Sequence, residues 1–246
     1  MTRIIDLDRS IIPACDVRTL SQLKKIVNVS REFPQVKAYK IGFSLGLRYG
    51  LPRIVSSIKK SHHGSIVIYD HQKAGTDIPK TAKEFAATLA HSGIDAAIIF
   101  PMAGPRTQEA FIKSLSEHGL GVICGGEMTH KGYKAREEGY ITDVAPVTIY
   151  RFAVKQGVTD FVVPANKTDS VGFYRMLLES SGIVPTLYLV GLVDQGGSIR
   201  EAGKTAGPYW HAICGTAIYN PNKKESLDKV TEEEMHESIK KLAMNL

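Results

Sequence analysis

Short apolar runs alternate along the chain with stretches of helical periodicity. The runs occupy residues 11–15, 37–41, 65–69, 96–100, 121–124, 160–163, 186–190 and 211–214. Each is only four or five residues long and apolar at nearly every position. That is the pattern of parallel strands covered on both faces. Between them lie amphipathic stretches, for example 20–31, 81–92, 107–117 and 170–180, with the spacing of helices that bury one side. Eight strand–helix units in 246 residues predict an α/β fold of the (β/α)8 TIM-barrel type. A doubly wound open sheet is the alternative, but no Gly-x-Gly-x-x-Gly turn follows the first run. No linker, low-complexity segment or break in composition divides the chain, so one domain over residues 1–246 is expected.

Barrel geometry sorts the polar residues. Chemistry in such barrels occurs at the C-terminal ends of the strands, where the connecting loops converge. The polar residues there are Asp16, Lys40, Asp70 with Lys73 and Asp77, Glu127 with Thr129, Asn166 with Lys167, Gln195 and Thr216. The densest group is Asp70-His-Gln-Lys73-Ala-Gly-Thr-Asp77-Ile78-Pro79. Charged groups that close a buried strand lose water and feel one another strongly. Lys73, between two acids, is held protonated. A substrate that brings a further negative charge beside Asp70 meets repulsion that vanishes when the charge leaves, and a protonated lysine then quenches the carbanion. This is decarboxylase chemistry. An Asp–Lys pair that merely caps the next helix is the plain structural alternative. The convergence of so many polar groups on one rim favours a site.

A second signal lies in the last two units, where Gln195-Gly196-Gly197 and Gly215-Thr216 follow runs seven and eight. Barrels often bind phosphate here, because glycines let backbone N–H groups approach an anion. Ordinary turn chemistry accounts for most such dipeptides, so position in the barrel is what favours phosphate.

Composition changes the picture little. Hydrophobic residues make up 43% and charged residues 23% of the chain, which suits an ordinary core and surface. The net charge of +6 is spread along the sequence without a Lys/Arg block, so no nucleic-acid partner is expected. Cys15, Cys124 and Cys214 lack metal-type spacing and sit at the ends of apolar runs, as free core thiols do. Residues 1–9 mix charges of both signs, unlike a signal peptide, and no apolar run is long enough to span a membrane. The expectation is a cytoplasmic protein with no membrane partner and no metal site.

These residues resemble the orotidine 5'-monophosphate decarboxylase family along most of the chain. The family's Asp-x-Lys-x-x-Asp-Ile-Pro signature after the third strand is similar to Asp70, Lys73, Asp77, Ile78 and Pro79. Asp16 ends the first run, and Lys40-Ile41-Gly42 ends the second, as in the family. Glu127-Met128-Thr129-His130 is similar to its Glu-Met-Ser-His, and Gln195-Gly196-Gly197 to its phosphate loop. The resemblance implies cofactor-free decarboxylation of orotidine 5'-monophosphate to UMP in de novo pyrimidine synthesis. It implies that Lys73 protonates C6 beside Asp70, with Lys40 and Asp16 holding the ribose hydroxyls and Thr129 touching the pyrimidine. Gln195, Gly196, Gly197, Gly215 and Thr216 would surround the phosphate. Asp77 and Ile78 would reach the neighbouring site of a homodimer with shared active sites.

Two departures stand out. The spacing is Asp-x-x-Lys-x-x-x-Asp, one residue longer in each gap. Residues three apart on a strand face opposite ways, so Asp70 and Lys73 converge only if the strand has ended or bulged. The family's phosphate arginine is also missing, because the chain reads Cys214-Gly215-Thr216-Ala217-Ile218-Tyr219. Backbone N–H groups with Thr216, or Lys167 reaching across, are the candidate replacements. Two other readings compete: a magnesium-dependent enzyme similar to hexulose-phosphate synthase or ketogulonate-phosphate decarboxylase, and a non-catalytic nucleotide-binding barrel. A lysine at position 40 disfavours a bound cation, and a desolvated tetrad of Lys40, Asp70, Lys73 and Asp77 is costly for a mere binding module.

Overall fold

The computed structural model describes residues 3–70, 75–167 and 169–246. In chain order its elements are β1 (Arg9–Pro13), α1 (Leu20–Ser30), β2 (Ala38–Ile41), α2 (Phe43–Tyr49), α3 (Leu51–Ser61) and β3 (Ile66–Asp70). Next come α4 (Ala82–His91), β4 (Ala96–Ile99), α5 (Pro105–Glu117), β5 (Gly121–Gly125), α6 (Ala145–Lys155) and β6 (Asp160–Pro164). The last are α7 (Ser170–Glu179), β7 (Thr186–Val190), α8 (Ile199–Thr205), β8 (Tyr209–Cys214), α9 (Thr216–Tyr219) and α10 (Glu232–Ala243).

The strands form one eight-stranded sheet in the order β1-β8-β7-β6-β5-β4-β3-β2, and each neighbouring pair is parallel. A parallel bridge between Ala14 and Lys40 joins its two edges, with the Cys15 N–H donating to the Lys40 carbonyl at 2.8 Å. The sheet is thus a (β/α)8 barrel, as the alternating pattern predicts. The first strand begins earlier than its apolar run. Its register with β8 opens at Arg9 opposite Trp210, whereas Ala14 and Cys15 are used to reach β2.

The helices form because they bury one face. On α1, Leu23, Ile26 and Val27 are buried, and on α3 Ile54, Val55 and Ile58. Each such side chain contributes about 1.5–3 kcal/mol when fully withdrawn from water. The start of α1 is set by a capping box, in which Thr19 and Gln22 satisfy each other's backbone N–H groups. Gly50, at φ 75°, divides α2 from α3.

Inside the barrel a second cluster collects Ile12, Ile68, Ile98, Ile123, Val162 and Ile213, and Ile5 from the N-terminal segment packs with them. Side chains alternate along a strand. The inward positions Ala14, Ala38 and Ile68 are therefore followed two residues later by Asp16, Lys40 and Asp70. The same alternation that builds the core delivers these charges to its upper end.

Candidate functional site

A cavity of about 400 Å³ opens at that end. Asp16, Lys40, Asp70, Thr129, Gln195, Gly215 and Thr216, all singled out by the sequence, line it. Lys40 is the hub. Its ammonium lies 2.7 Å from Asp70 Oδ2 and 3.3 Å from Asp16 Oδ2. Burial works against the charge of this amine, but attraction to Asp70 and Asp16 outweighs it, and the ammonium is held above the ordinary lysine value. Asp70 Oδ1 is buried without a hydrogen-bond partner among the described residues. The geometry offers one fixed cation between two acids, with a carboxylate oxygen left over.

Lys73, with His71 and Gln72, lies outside the described residues. β3 ends at Asp70, and the described chain resumes at Gly75, whose φ is +86°. A Cβ there would stand 2.8 Å from Pro101 Cα, so only glycine fits. Asp77 and Ile78 are exposed and do not line the cavity. The Asp77 carboxylate accepts from the Ile78 N–H at 2.7 Å, and its carbonyl accepts from the Thr107 hydroxyl at 2.9 Å.

The wall after β5 rests on a buried ion-pair network. Glu127 accepts from Lys134 at 2.5 Å, from Lys167 at 3.0 Å and, on its other oxygen, from the Tyr174 hydroxyl. Burial raises the Glu127 carboxyl, but the bonds from Lys134, Tyr174 and Lys167 hold it below its usual value. Lys167 also pairs with Glu137 at 3.1 Å, so it serves this network and not the far end of the cavity. Asn166 donates to the Thr129 carbonyl at 3.1 Å, tying the β5 and β6 loops together. Gly125 has no room for a side chain, since a Cβ would fall 2.2 Å from the Phe100 ring that lines the cavity.

The opposite end is made by Gly191, Asp194, Gln195, Gly215, Thr216 and Tyr219. The Thr216 and Tyr219 hydroxyls are 3.3 Å apart. Asp194 Oδ2 accepts from the Ala217 N–H at 2.8 Å. Gly196 and Gly197 are not brought to this cavity. Their N–H groups donate to the carbonyls of Val193 and Gly191, both at 3.1 Å, and the two residues line a neighbouring groove beside α7 and α8. Phe100, Asp194 and Tyr219 are lining residues that the sequence reading did not select. An acid placed directly before Gln-Gly-Gly was the available signal for Asp194, and the i, i+3 spacing from Thr216 for Tyr219.

The profile described as the Orotidine 5'-phosphate decarboxylase / HUMPS family matches residues 9–230. The orotidine 5'-phosphate decarboxylase of Methanosarcina mazei is 30% identical over 223 residues, which is 90% of this chain and 93% of that protein. Its counterpart in Thermoplasma volcanium is 26% identical over 220 residues, 89% of this chain and 90% of that protein. Among solved structures, orotidine 5'-monophosphate decarboxylase from Methanocaldococcus jannaschii complexed with the inhibitor BMP superposes with a TM-score of 0.79. It is 24% identical and the alignment covers 98% of this chain and 99% of that one. No helix among the described residues is long and apolar enough to cross a membrane.

Proposed function

We propose that this chain, which belongs to the Orotidine 5'-phosphate decarboxylase / HUMPS family, decarboxylates orotidine 5'-monophosphate to UMP in pyrimidine synthesis. It does so as a cytoplasmic single-domain barrel, without metal or cofactor. The observation that carries this reading is Lys40 fixed between Asp16 and Asp70 on the rim of a cavity of nucleotide size. Asp70 stands beside the substrate carboxylate and repels it. The bond from C6 to the carboxylate carbon breaks, carbon dioxide leaves, and the electron pair stays on C6. The Lys73 ammonium gives its proton to C6 and regains one from solvent. Lys40 and Asp16 hold the ribose hydroxyls, and Thr129 meets the pyrimidine. Binding energy from the rest of the nucleotide offsets the repulsion at Asp70.

The magnesium-dependent branch of the family fits less well. A cation between Asp16 and Asp70 would compete with an ammonium already 2.7 Å from the buried carboxylate. For the homodimer, support comes from Ile78 and Met102. Both are apolar and exposed on the adjoining loops after β3 and β4. In this reading they, with Asp77, face a second copy and complete its site.

The test is production of UMP and carbon dioxide from orotidine 5'-monophosphate in the presence of EDTA, wild type beside Lys73→Ala. Metal-free turnover that the substitution abolishes supports the decarboxylase and its proton donor. Folded protein without turnover, or turnover that needs magnesium, overturns the reading. Mixed Asp77→Asn and Lys73→Ala chains, each inactive alone, should recover activity if subunits share sites.

A further inference from the structure

We infer that Asp194 sets how strongly this site prefers a nucleotide over a nucleoside, and that it does so by opposing the phosphate. The inference rests on the nucleotide reading above and deepens it. Asp194 lines the cavity beside Gln195, Gly215 and Thr216, the residues assigned to the phosphate. Its Oδ2 accepts the Ala217 N–H at 2.8 Å, a backbone donor at the place where an anion would look for one. A phosphate arriving there must displace a carboxylate, or bind beside it against charge repulsion.

Inside the cavity little offsets this charge, and in the outer groove that Asp194 also borders, Glu233, Glu234 and Glu237 outnumber Lys223 and Lys241. Thr216 stands where the family resemblance puts an arginine, and a hydroxyl replaces neither its charge nor its bidentate grip. Lys40 is the lysine that lines the cavity among the described residues, and it is committed to Asp16 and Asp70. Lys167, the other candidate, is bound by Glu127 and Glu137. The Gly196 and Gly197 amides are engaged within their own turn. Among the described residues, what remains at this end is the Asp194 carboxylate, the Gln195 side chain and the paired hydroxyls of Thr216 and Tyr219, a set that can hold a dianion only by neutral hydrogen bonds with a like charge beside it.

A neutral amide oxygen can still accept the Ala217 N–H, though more weakly than a carboxylate, so the charge is tested by comparing ligands that differ only in theirs. Asp194→Asn keeps the side-chain oxygen and removes the charge. Binding of UMP and of uridine is measured by calorimetry for wild type, Asp194→Asn and Asp194→Ala at low and high salt. We expect Asp194→Asn to bind UMP about three- to fivefold more tightly at low salt, as a like charge a few ångströms away on an exposed side chain implies. Uridine affinity should not change, and the gain should shrink at high salt, where screening weakens the repulsion. A capping role alone would leave UMP and uridine equally affected and the difference insensitive to salt. Unchanged or weaker UMP binding in Asp194→Asn, with uridine still bound, overturns this inference alone. If neither ligand binds to any of the three proteins, the nucleotide reading fails and this inference with it.

Discussion

Lys40→Met is the most informative single change for the architecture of the site. The side chains of Lys40 and Asp70 are 9% and 7% exposed and their charges are 2.7 Å apart. At the effective dielectric that suits protein sites, such a pair attracts by about 6 kcal/mol before desolvation is subtracted. Asp16 is 46% exposed, so its share is at most about 1 kcal/mol. Removing the ammonium strands the Asp70 carboxylate in a buried position, at a cost of about 3–5 kcal/mol. Asp70→Asn alone keeps an acceptor for Lys40 but takes its main counter-charge. The double variant, Lys40→Met with Asp70→Asn, removes both charges and should lie closer to wild type than the sum of the singles, with a coupling energy of about 2–3 kcal/mol. Urea unfolding at neutral pH measures all four proteins, provided the slope stays constant across the set. A Lys40→Met cost below about 1 kcal/mol, or additive single effects, would refute the claim that a buried charge pair organises this rim.

Three further outcomes follow from other buried groups. His211, inside the barrel with its Nδ1 2.7 Å from the Ser10 hydroxyl, is pushed by burial, and by nearby Arg3, down to about 3. The unfolded chain therefore binds a proton that the folded one refuses. This stabilisation is complete above about pH 6.5 and is lost as pH falls from there toward 3, by about 2 kcal/mol at pH 5. His211→Gln should flatten that part of the stability profile, and parallel profiles would count against the buried neutral imidazole. Glu127→Gln leaves Lys134 and Lys167 short of a counter-charge and should cost about 3 kcal/mol in chemical denaturation; a change within about 0.5 kcal/mol would mean the network is not desolvated as described. All three cysteines are buried, and burial pushes the Cys124 and Cys214 thiols up to about 12. A thiol reagent at about pH 8 should find none reactive in the native protein and all of them after unfolding, so rapid labelling of the native state would overturn that assignment.

What the sequence alone determined is the part governed by local periodicity. Eight short, mostly apolar runs separated by amphipathic stretches suit parallel strands covered by helices, and their number suits a closed ring, so the barrel was legible. The two-residue period of a strand then carried Asp16, Lys40 and Asp70 to the inner rim, and strand-end position brought Gln195, Gly215 and Thr216 to the same cavity. Partner choice across the barrel was not legible. Glu127 meets Lys134 and Lys167, and Asp194 meets the Ala217 N–H, because of how loops from different units fold over one another. Gly196 and Gly197 turn to a neighbouring groove because their N–H groups close a turn on Val193 and Gly191. Even the start of β1 was decided by its register with β8 and by the need for Ala14 to close the barrel on Lys40. Periodicity assigns a side chain to a face, whereas the distances that decide which charges compensate one another arise only when the ring of strands closes.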